Sequence, residues 1–118
     1  MDNILNELIS LIESKQGIDI TVIDIHEVSS IADHIMIVTA NSMVHSRSMS
    51  KYIVDFLKEK GLTGEMKNKN IDLNNPWVLI DGGEIVINLF LKETRDFYNL
   101  EKLYFKGKVV YGQPIMNK

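Results

Sequence analysis

The chain has no cysteine and only two prolines among its 118 residues. The missing thiol excludes disulfide scaffolds, cysteine-ligated zinc or iron–sulfur sites and a cysteine nucleophile. No apolar run approaches the roughly 18 residues of a membrane-spanning helix, and the N-terminal residues lack the pattern of a signal peptide. Hydrophobic residues make up 45% of the chain and charged residues 25%, as in ordinary globular proteins. These features predict a soluble, cytoplasmic protein of one domain.

The net charge of −3 is the sum of four blocks of alternating sign. Residues 1–42 carry −6 and residues 43–70 carry +3, whereas residues 71–101 carry −4 and residues 102–118 carry +4. Because nucleic-acid binding needs a continuous positive surface, we do not expect a sequence-specific nucleic-acid binder. An acidic face that meets a basic partner is one interpretation of the blocks. Solvated faces of a mixed fold are the other.

Hydrophobic spacing predicts the order α-β-β-α in the first half of the chain. We expect a helix over 3–16, a short strand over 20–25 and a second strand over 34–39. The second strand is nearly all apolar, which favours burial on both of its faces. Another helix is expected from about 43 to 60, with Ser42 as its N-cap.

The second half predicts a β-hairpin and a last helix. Residues 77–90 form two apolar runs around Gly82 and Gly83, which is a strong hairpin signal. A helix follows over about 95–104, with Thr94 as its expected cap.

This order of elements predicts an α+β fold, in which helices cover a mixed β-sheet. A polar, turn-like loop is expected over 67–76. Neither a repeat nor a linker divides the chain. We therefore expect a single domain over 1–106 and a lysine-containing C-terminal tail over 107–118.

The two faces of the predicted hairpin differ in character, since side chains alternate along a strand. With both glycines in the turn, Leu79 is expected opposite Val86 and Trp77 opposite Asn88. One face is purely aliphatic and belongs to the core. The other face combines the only tryptophan with two carboxylates and an amide, which suits a docking surface with an apolar centre and a polar rim. Its residues are Trp77, Leu79, Asp81, Glu84, Val86, Asn88 and Phe90.

A structural role for the same residues is the alternative interpretation. Trp77 would then pack under the last helix with Phe90, Phe97 and Tyr98, and the acids would only keep the turn soluble. Three residues of the last helix lie at i, i+3 and i+6, so they either extend the docking surface or pair with one another: Arg95, Tyr98 and Glu101.

The three histidines form no metal-binding pattern. Asp33 and His34 are neighbours on a predicted strand and therefore point to opposite faces, and the other histidines lie in separate elements. The chain also has no phosphate-binding P-loop and no Ser-His-Asp arrangement. We therefore expect no metal and no cofactor.

Ser42 follows a buried strand and precedes a helix, as the serine does in minimal nucleotidyltransferases. Such enzymes also need paired carboxylates on the next strand to hold magnesium, and these are missing here. A helix cap is the expected role of Ser42. The enzymatic alternative is a degenerate nucleotidyltransferase that uses Ser42 with Asp81 or Glu84.

Three strings of the chain resemble the ribosomal silencing factor family, RsfS or Iojap, in order and spacing. They are DHIMIVTANS at 33–42, WVLIDGGEIVINLF at 77–90 and ETRDFYNLEKLY at 93–104. The resemblance covers nearly the whole chain to about Tyr104. Five positions depart from the usual family pattern: His34, Ala40, Gly82, Asn88 and Tyr104.

The resemblance implies a fold similar to nucleotidyltransferases but without their catalytic carboxylates, and therefore a binding protein that is not an enzyme. It also implies binding to the large ribosomal subunit through that subunit's fourteenth protein. Binding there would block joining of the small subunit and repress translation. A dimerising scaffold, associated through the hairpin face, is a further alternative.

The resemblance and the face pattern of the hairpin together assign roles to the hairpin and the last helix. Trp77 is the expected apolar anchor, with Leu79 and Val86 at its flanks. Three acids are expected to meet basic groups of the partner: Asp81, Glu84 and Glu101. The predicted partner-binding set is completed by Asn88, Arg95 and Tyr98.

Overall fold

The computed structural model describes residues 2–67 and 76–112 of the chain. Within these ranges, helices cover both faces of a six-stranded mixed sheet, which confirms the predicted α+β fold class. The polar loop predicted over 67–76 lies almost wholly outside the described residues. No helix in the described part of the chain is long and apolar enough to cross a membrane.

Helices α1 (Asp2–Ser14) and α2 (Met43–Glu59) pack on one face of the sheet. Both helices bury the apolar stripes that their spacing predicts. Ser42 caps α2, since its Oγ accepts a hydrogen bond from the backbone N–H of His45 over 3.1 Å. The predicted cap is therefore confirmed.

The sheet has the strand order β3-β4-β5-β2-β1-β6. Strands β2 and β5 are parallel neighbours, and the other neighbouring pairs are antiparallel. Strand β2 lies inside the sheet with residues 35–39 buried, as predicted. In chain order the strands are β1 (Ile18–Asp24), β2 (His34–Thr39), β3 (Glu65–Met66), β4 (Val78–Asp81), β5 (Ile85–Phe90) and β6 (Lys108–Tyr111).

The hairpin β4–β5 has the predicted faces but a different register. Leu79 lies opposite Asn88, whereas Val86 was the predicted partner. The N–H of Gly82 donates to the carbonyl oxygen of Ile85 over 2.8 Å, so the turn lies at Gly83 and Glu84, one residue later than predicted. Because the pairing moves by two residues, each side chain stays on its predicted face.

The prediction of a single helix over 95–104 is wrong. The segment forms α3 (Lys92–Tyr98) and α4 (Leu100–Leu103), separated by Asn99. Asn99 has a φ of +49° and a ψ of +59°, a left-handed conformation that ends α3, and its side chain then caps α4. The predicted cap Thr94 lies inside α3.

The prediction of a tail from 107 onwards is wrong for residues 108–111. These residues form β6, which pairs antiparallel with β1 at the edge of the sheet. Gly112 has a φ of +79°, and a Cβ there would clash with the carbonyl oxygen of Ile20. Glycine at this position therefore allows the end of β6 to approach β1 closely.

A buried guanidinium fastens α3 and α4 to the sheet. Arg95 donates from Nε and Nη2 to Oε2 of Glu101, over 2.9 and 2.7 Å. It also donates to the hydroxyls of Thr39 and Thr21, over 2.9 and 3.1 Å, and to the carbonyl oxygen of Asp19. Arg95 is 5% exposed and Glu101 is 6% exposed, so this ion pair is shielded from water.

Replacing Glu101 by alanine should lower the free energy of unfolding by about 3 kcal/mol or more. The physical reason is that Arg95 would keep its charge in a buried position without a carboxylate. Urea denaturation measures the change.

Asp96→Ala is the matched control, because it removes an exposed carboxylate that pairs with Lys92 over 3.0 Å. This loss should cost less than about 1 kcal/mol. Equal losses in the two variants would contradict the importance of the buried pair.

Candidate functional site

A groove of about 330 Å³ runs along the outer face of the hairpin β4–β5. We call it the hairpin groove. Its hairpin side is formed by Trp77, Leu79, Asp81, Val86 and Asn88. The opposite wall and the end are formed by Ile31, Ile35, Lys67, Leu100, Leu103 and Tyr104.

Trp77 lies half-buried between this groove and the aromatic side chains beneath α3. Its ring centroid is 5.1 Å from that of Phe90 and 4.9 Å from that of Tyr98. Trp77 therefore packs against Phe90 and Tyr98, as the structural interpretation of this residue predicts. Phe97 is 81% exposed and touches the edge of Tyr98, so it does not take the expected place beneath the helix.

The sequence predicts Asn88 at the polar rim of the docking surface, and this prediction is wrong. Asn88 is only 1% exposed. Its Oδ1 accepts a hydrogen bond from Nε1 of Trp77 over 2.9 Å, and its Nδ2 donates to the carbonyl oxygen of Met36 over 3.3 Å. Asn88 therefore fixes the orientation of the indole from below the groove.

The two hairpin acids take different positions. Asp81 is half-buried at the end of the groove, where its Oδ1 accepts a hydrogen bond from the N–H of Gly83 over 2.8 Å. Its Oδ2 faces Nζ of Lys67 at 3.8 Å. Glu84 is exposed in the turn and does not line the groove.

The residues predicted on the last helix do not form one surface. Arg95 and Glu101 are buried and pair with each other, which is the second of the two roles considered for them. Their prediction as accessible partner-binding residues is therefore wrong. Tyr98 is 46% exposed and contacts Trp77.

Sequence patterns missed the opposite wall of the groove. Leu103 is 67% exposed there. Ile31 is 58% exposed and comes from the loop between β1 and β2, which carries no periodic signal. Large apolar side chains that remain exposed beside an apolar groove are typical of interaction surfaces.

The structure does not bring together the residues that the enzymatic alternative requires. Ser42 follows the C-terminal end of β2, whereas Glu84 precedes the N-terminal end of β5. Because these strands are parallel and in register from His34 opposite Ile85 onwards, the two residues lie at opposite ends of the sheet, roughly 20 Å apart. Asp81 lies at the same end as Glu84, since it pairs with Val86.

The histidines are placed apart. Nδ1 of His26 lies 2.6 Å from Oδ1 of Asp24 at the end of β1. His45 bridges two backbone segments: its Nδ1 accepts from the N–H of Asn41, and its Nε2 lies 2.7 Å from the carbonyl oxygen of Lys15. Among residues 2–67 and 76–112, no three acids or histidines are grouped so that they could hold a metal ion.

Comparison with known proteins identifies the family. The sequence profile described as "Ribosomal silencing factor during starvation" matches residues 1–117. The chain belongs to this ribosomal silencing factor family. It is 34% identical over 92 residues to the ribosomal silencing factor RsfS of Bacillus subtilis, which covers 78% of this chain and 76% of that protein. The corresponding protein of Zymomonas mobilis is 33% identical over 96 residues, covering 81% and 71% of the two chains.

More distant relatives share the family's connection to ribosomes by name. The mouse protein called "Mitochondrial assembly of ribosomal large subunit protein 1" is 31% identical over 102 residues, which cover 85% of this chain and 44% of that protein. Membership in the ribosomal silencing factor family places the chain among regulators of ribosome assembly and translation.

Solved structures confirm the fold. A crystal structure of a protein from Chromobacterium violaceum superimposes with a TM-score of 0.77 at 24% identity, covering 95% of this chain and 93% of that chain. One from Bacillus halodurans gives a TM-score of 0.74 at 25% identity, covering 94% and 99%. The mixed sheet with its covering helices is therefore the architecture of these neighbours too.

Replacing Asp24 by asparagine should lower the pKa of His26. The hydrogen bond that His26 donates to Asp24, followed by the charge of that carboxylate, raises the pKa of His26 above its ordinary value of 6.5. The stability that this pair contributes is therefore fully present below pH 6.5 and lost as the pH rises through the folded-state pKa. An NMR titration of the His26 ring measures the pKa directly.

Glu27→Gln is the control for this titration. Its Oε2 lies 3.5 Å from Nε2 of His26, and its charge is a smaller cause of the raised pKa than Asp24. A larger fall of the pKa in Glu27→Gln than in Asp24→Asn would show that the assignment of the cause is wrong.

Proposed function

We propose that the protein binds the large ribosomal subunit through the hairpin groove and thereby blocks joining of the small subunit, so that translation is repressed. The observation that carries this proposal is an apolar groove that contains Trp77 and has the carboxylate of Asp81 at its end. The indole of Trp77 is kept in place by its hydrogen bond to Asn88. Family membership supports a ribosomal partner. The fourteenth protein of the large subunit is the proposed binding partner.

The apolar part of the groove suits a protein surface. Trp77 is half-buried, and its indole N–H is already bonded to Asn88, so docking needs no new partner for that buried donor. Leu79 lies half-buried two residues along the strand from Trp77, and Val86 lies half-buried opposite Asp81, so Val86 does not take its expected place beside the indole. An aromatic anchor within a partly apolar surface is the usual composition of a binding hot spot.

The charged part of the groove suits a basic partner. Asp81 lines the end of the groove, and Glu84 stands exposed in the adjoining turn. A carboxylate at the rim attracts lysines and arginines and mainly changes the rate of association. The two carboxylates would repel the phosphates of RNA, and the apolar centre offers phosphates no favourable contact. The groove therefore favours a basic ribosomal protein over bare RNA.

Steric exclusion is the proposed mode of action. The protein measures 34 × 32 × 24 Å. A body of this size, seated where the small subunit must make contact, separates the two subunit surfaces by far more than the length of a hydrogen bond. The proposed function therefore needs neither a catalytic pocket nor a cofactor.

Trp77→Ala should weaken binding to purified large ribosomal subunits by about 30-fold or more, because truncation of a central aromatic anchor costs about 2 kcal/mol. Co-sedimentation of the protein with the subunits at several concentrations measures the affinity. Circular dichroism checks that the variant is folded. The control is Tyr52→Ala, which removes an exposed aromatic ring from α2, on the opposite face of the sheet.

A subunit-joining experiment tests the mode of action. Gradient sedimentation of mixed large and small subunits should show fewer joined ribosomes when the parent protein is added, and no such loss with Trp77→Ala. Undiminished binding of Trp77→Ala would refute the role of the groove. Binding by the parent protein without any loss of joined ribosomes would refute steric exclusion.

A further inference from the structure

Lys67 lies at the end of the hairpin groove where a cation of the partner would meet Asp81. Its Nζ is 3.1 Å from Oε1 of Glu65 and 3.8 Å from Oδ2 of Asp81. We infer that Lys67 is an internal competitor for Asp81, and that an arginine of the basic partner displaces it on binding. This inference rests on the proposed function, and it adds the chemistry that the end of the groove recognises.

The carboxylate of Asp81 is oriented before any partner arrives. Its Oδ1 accepts a hydrogen bond from the N–H of Gly83 over 2.8 Å, which holds the group in the turn. Its Oδ2 faces Lys67 across 3.8 Å, a separation too long for a hydrogen bond. An incoming cation can therefore make a shorter, charge-assisted bond to Oδ2 than the one Lys67 makes.

Lys67 can move aside without unfolding its segment. Its backbone N–H donates to the carbonyl oxygen of Leu79 over 2.9 Å, so the main chain is tied to β4. The side chain is 46% exposed and has four flexible methylenes, and Glu65 offers its ammonium group a second carboxylate. Because exposed ion pairs are weak, only a small penalty opposes the exchange.

Arginine is the cation that this position favours. Its planar guanidinium donates two parallel hydrogen bonds to a carboxylate, whereas an ammonium group acts as a point charge.

Lys67→Gln should therefore bind purified large ribosomal subunits about two- to fivefold more tightly than the parent at low salt. The gain should shrink as the salt concentration rises, because these charges are partly exposed. Lys67→Arg keeps the charge and should bind more weakly than Lys67→Gln. Lys51→Gln, an exposed position on α2, is the control for a general change in net charge and should leave affinity unchanged.

A double-mutant cycle tests whether Lys67 acts through Asp81. In an Asp81→Asn background, Lys67→Gln should bring no gain, because the carboxylate for which the two cations compete is gone. A gain that persists in this background, or equal affinities of Lys67→Gln and the parent, would overturn the inference.

A second probe separates this inference from the proposed function. Hexa-arginine peptide can be titrated against the fluorescence of Trp77, the only tryptophan of the chain. Lys67→Gln should bind the peptide more tightly than the parent, and Asp81→Asn should cancel the difference. If the parent fails to bind large subunits, the proposed function is wrong, and the peptide titration still decides the role of Lys67. Equal peptide affinities of the parent and Lys67→Gln, or no peptide binding at all, would overturn it.

Discussion

The buried contact between Arg95 and Glu101 is the interaction on which the shape of the groove depends. It ties α3 to α4 and, through Thr21 and Thr39, ties both helices to strands β1 and β2. Leu100 and two neighbouring residues of this segment form one wall of the hairpin groove. A buried ion pair contributes little net stability, because both charges lose their hydration. Its effect here is geometric, since it holds that wall at a defined place above the sheet.

Unequal coverage of the two sheet faces creates the candidate site. The face beneath α1 and α2 holds the larger core, and its hairpin side chains are fully covered. The short helices α3 and α4 cover only part of the other face, around the smaller core cluster that contains Phe90 and Leu100. Where that coverage ends, Trp77 and Leu79 stay half-exposed. Trp77 is nevertheless held by its neighbours, so docking would immobilise few additional side chains, which favours binding.

The same architecture shows why a fold does not by itself assign a function. The sheet places Ser42 after one end of β2 and the hairpin acids at the other end, which separates the residues that a nucleotidyltransferase-like site would need. Ser42 is used as a helix cap. The acids at the hairpin end face an apolar groove, and this combination suits binding to a basic partner.

Local periodicity determined much of this protein from the sequence alone. Strand β2 was predicted with its observed limits, α2 with its cap at Ser42, and the residues of the two hairpin strands on their correct faces. These features depend on alternation or helical spacing over a few residues. The two faces of the hairpin are also unaffected by the change of register, because a shift of two residues leaves each strand side chain on the same face. The tryptophan and Asp81 were recognised for the same reason.

Only the tertiary structure decided which charged and apolar residues are covered. The partners of Arg95 lie 56 and 74 residues away, at Thr39 and Thr21, and no local pattern reports such a distance. Strand β6 exists because β1 offers it an edge to pair with. Ile31 joins the groove wall from a loop. Burial is a property of the assembled chain, whereas periodicity is a property of its neighbouring residues.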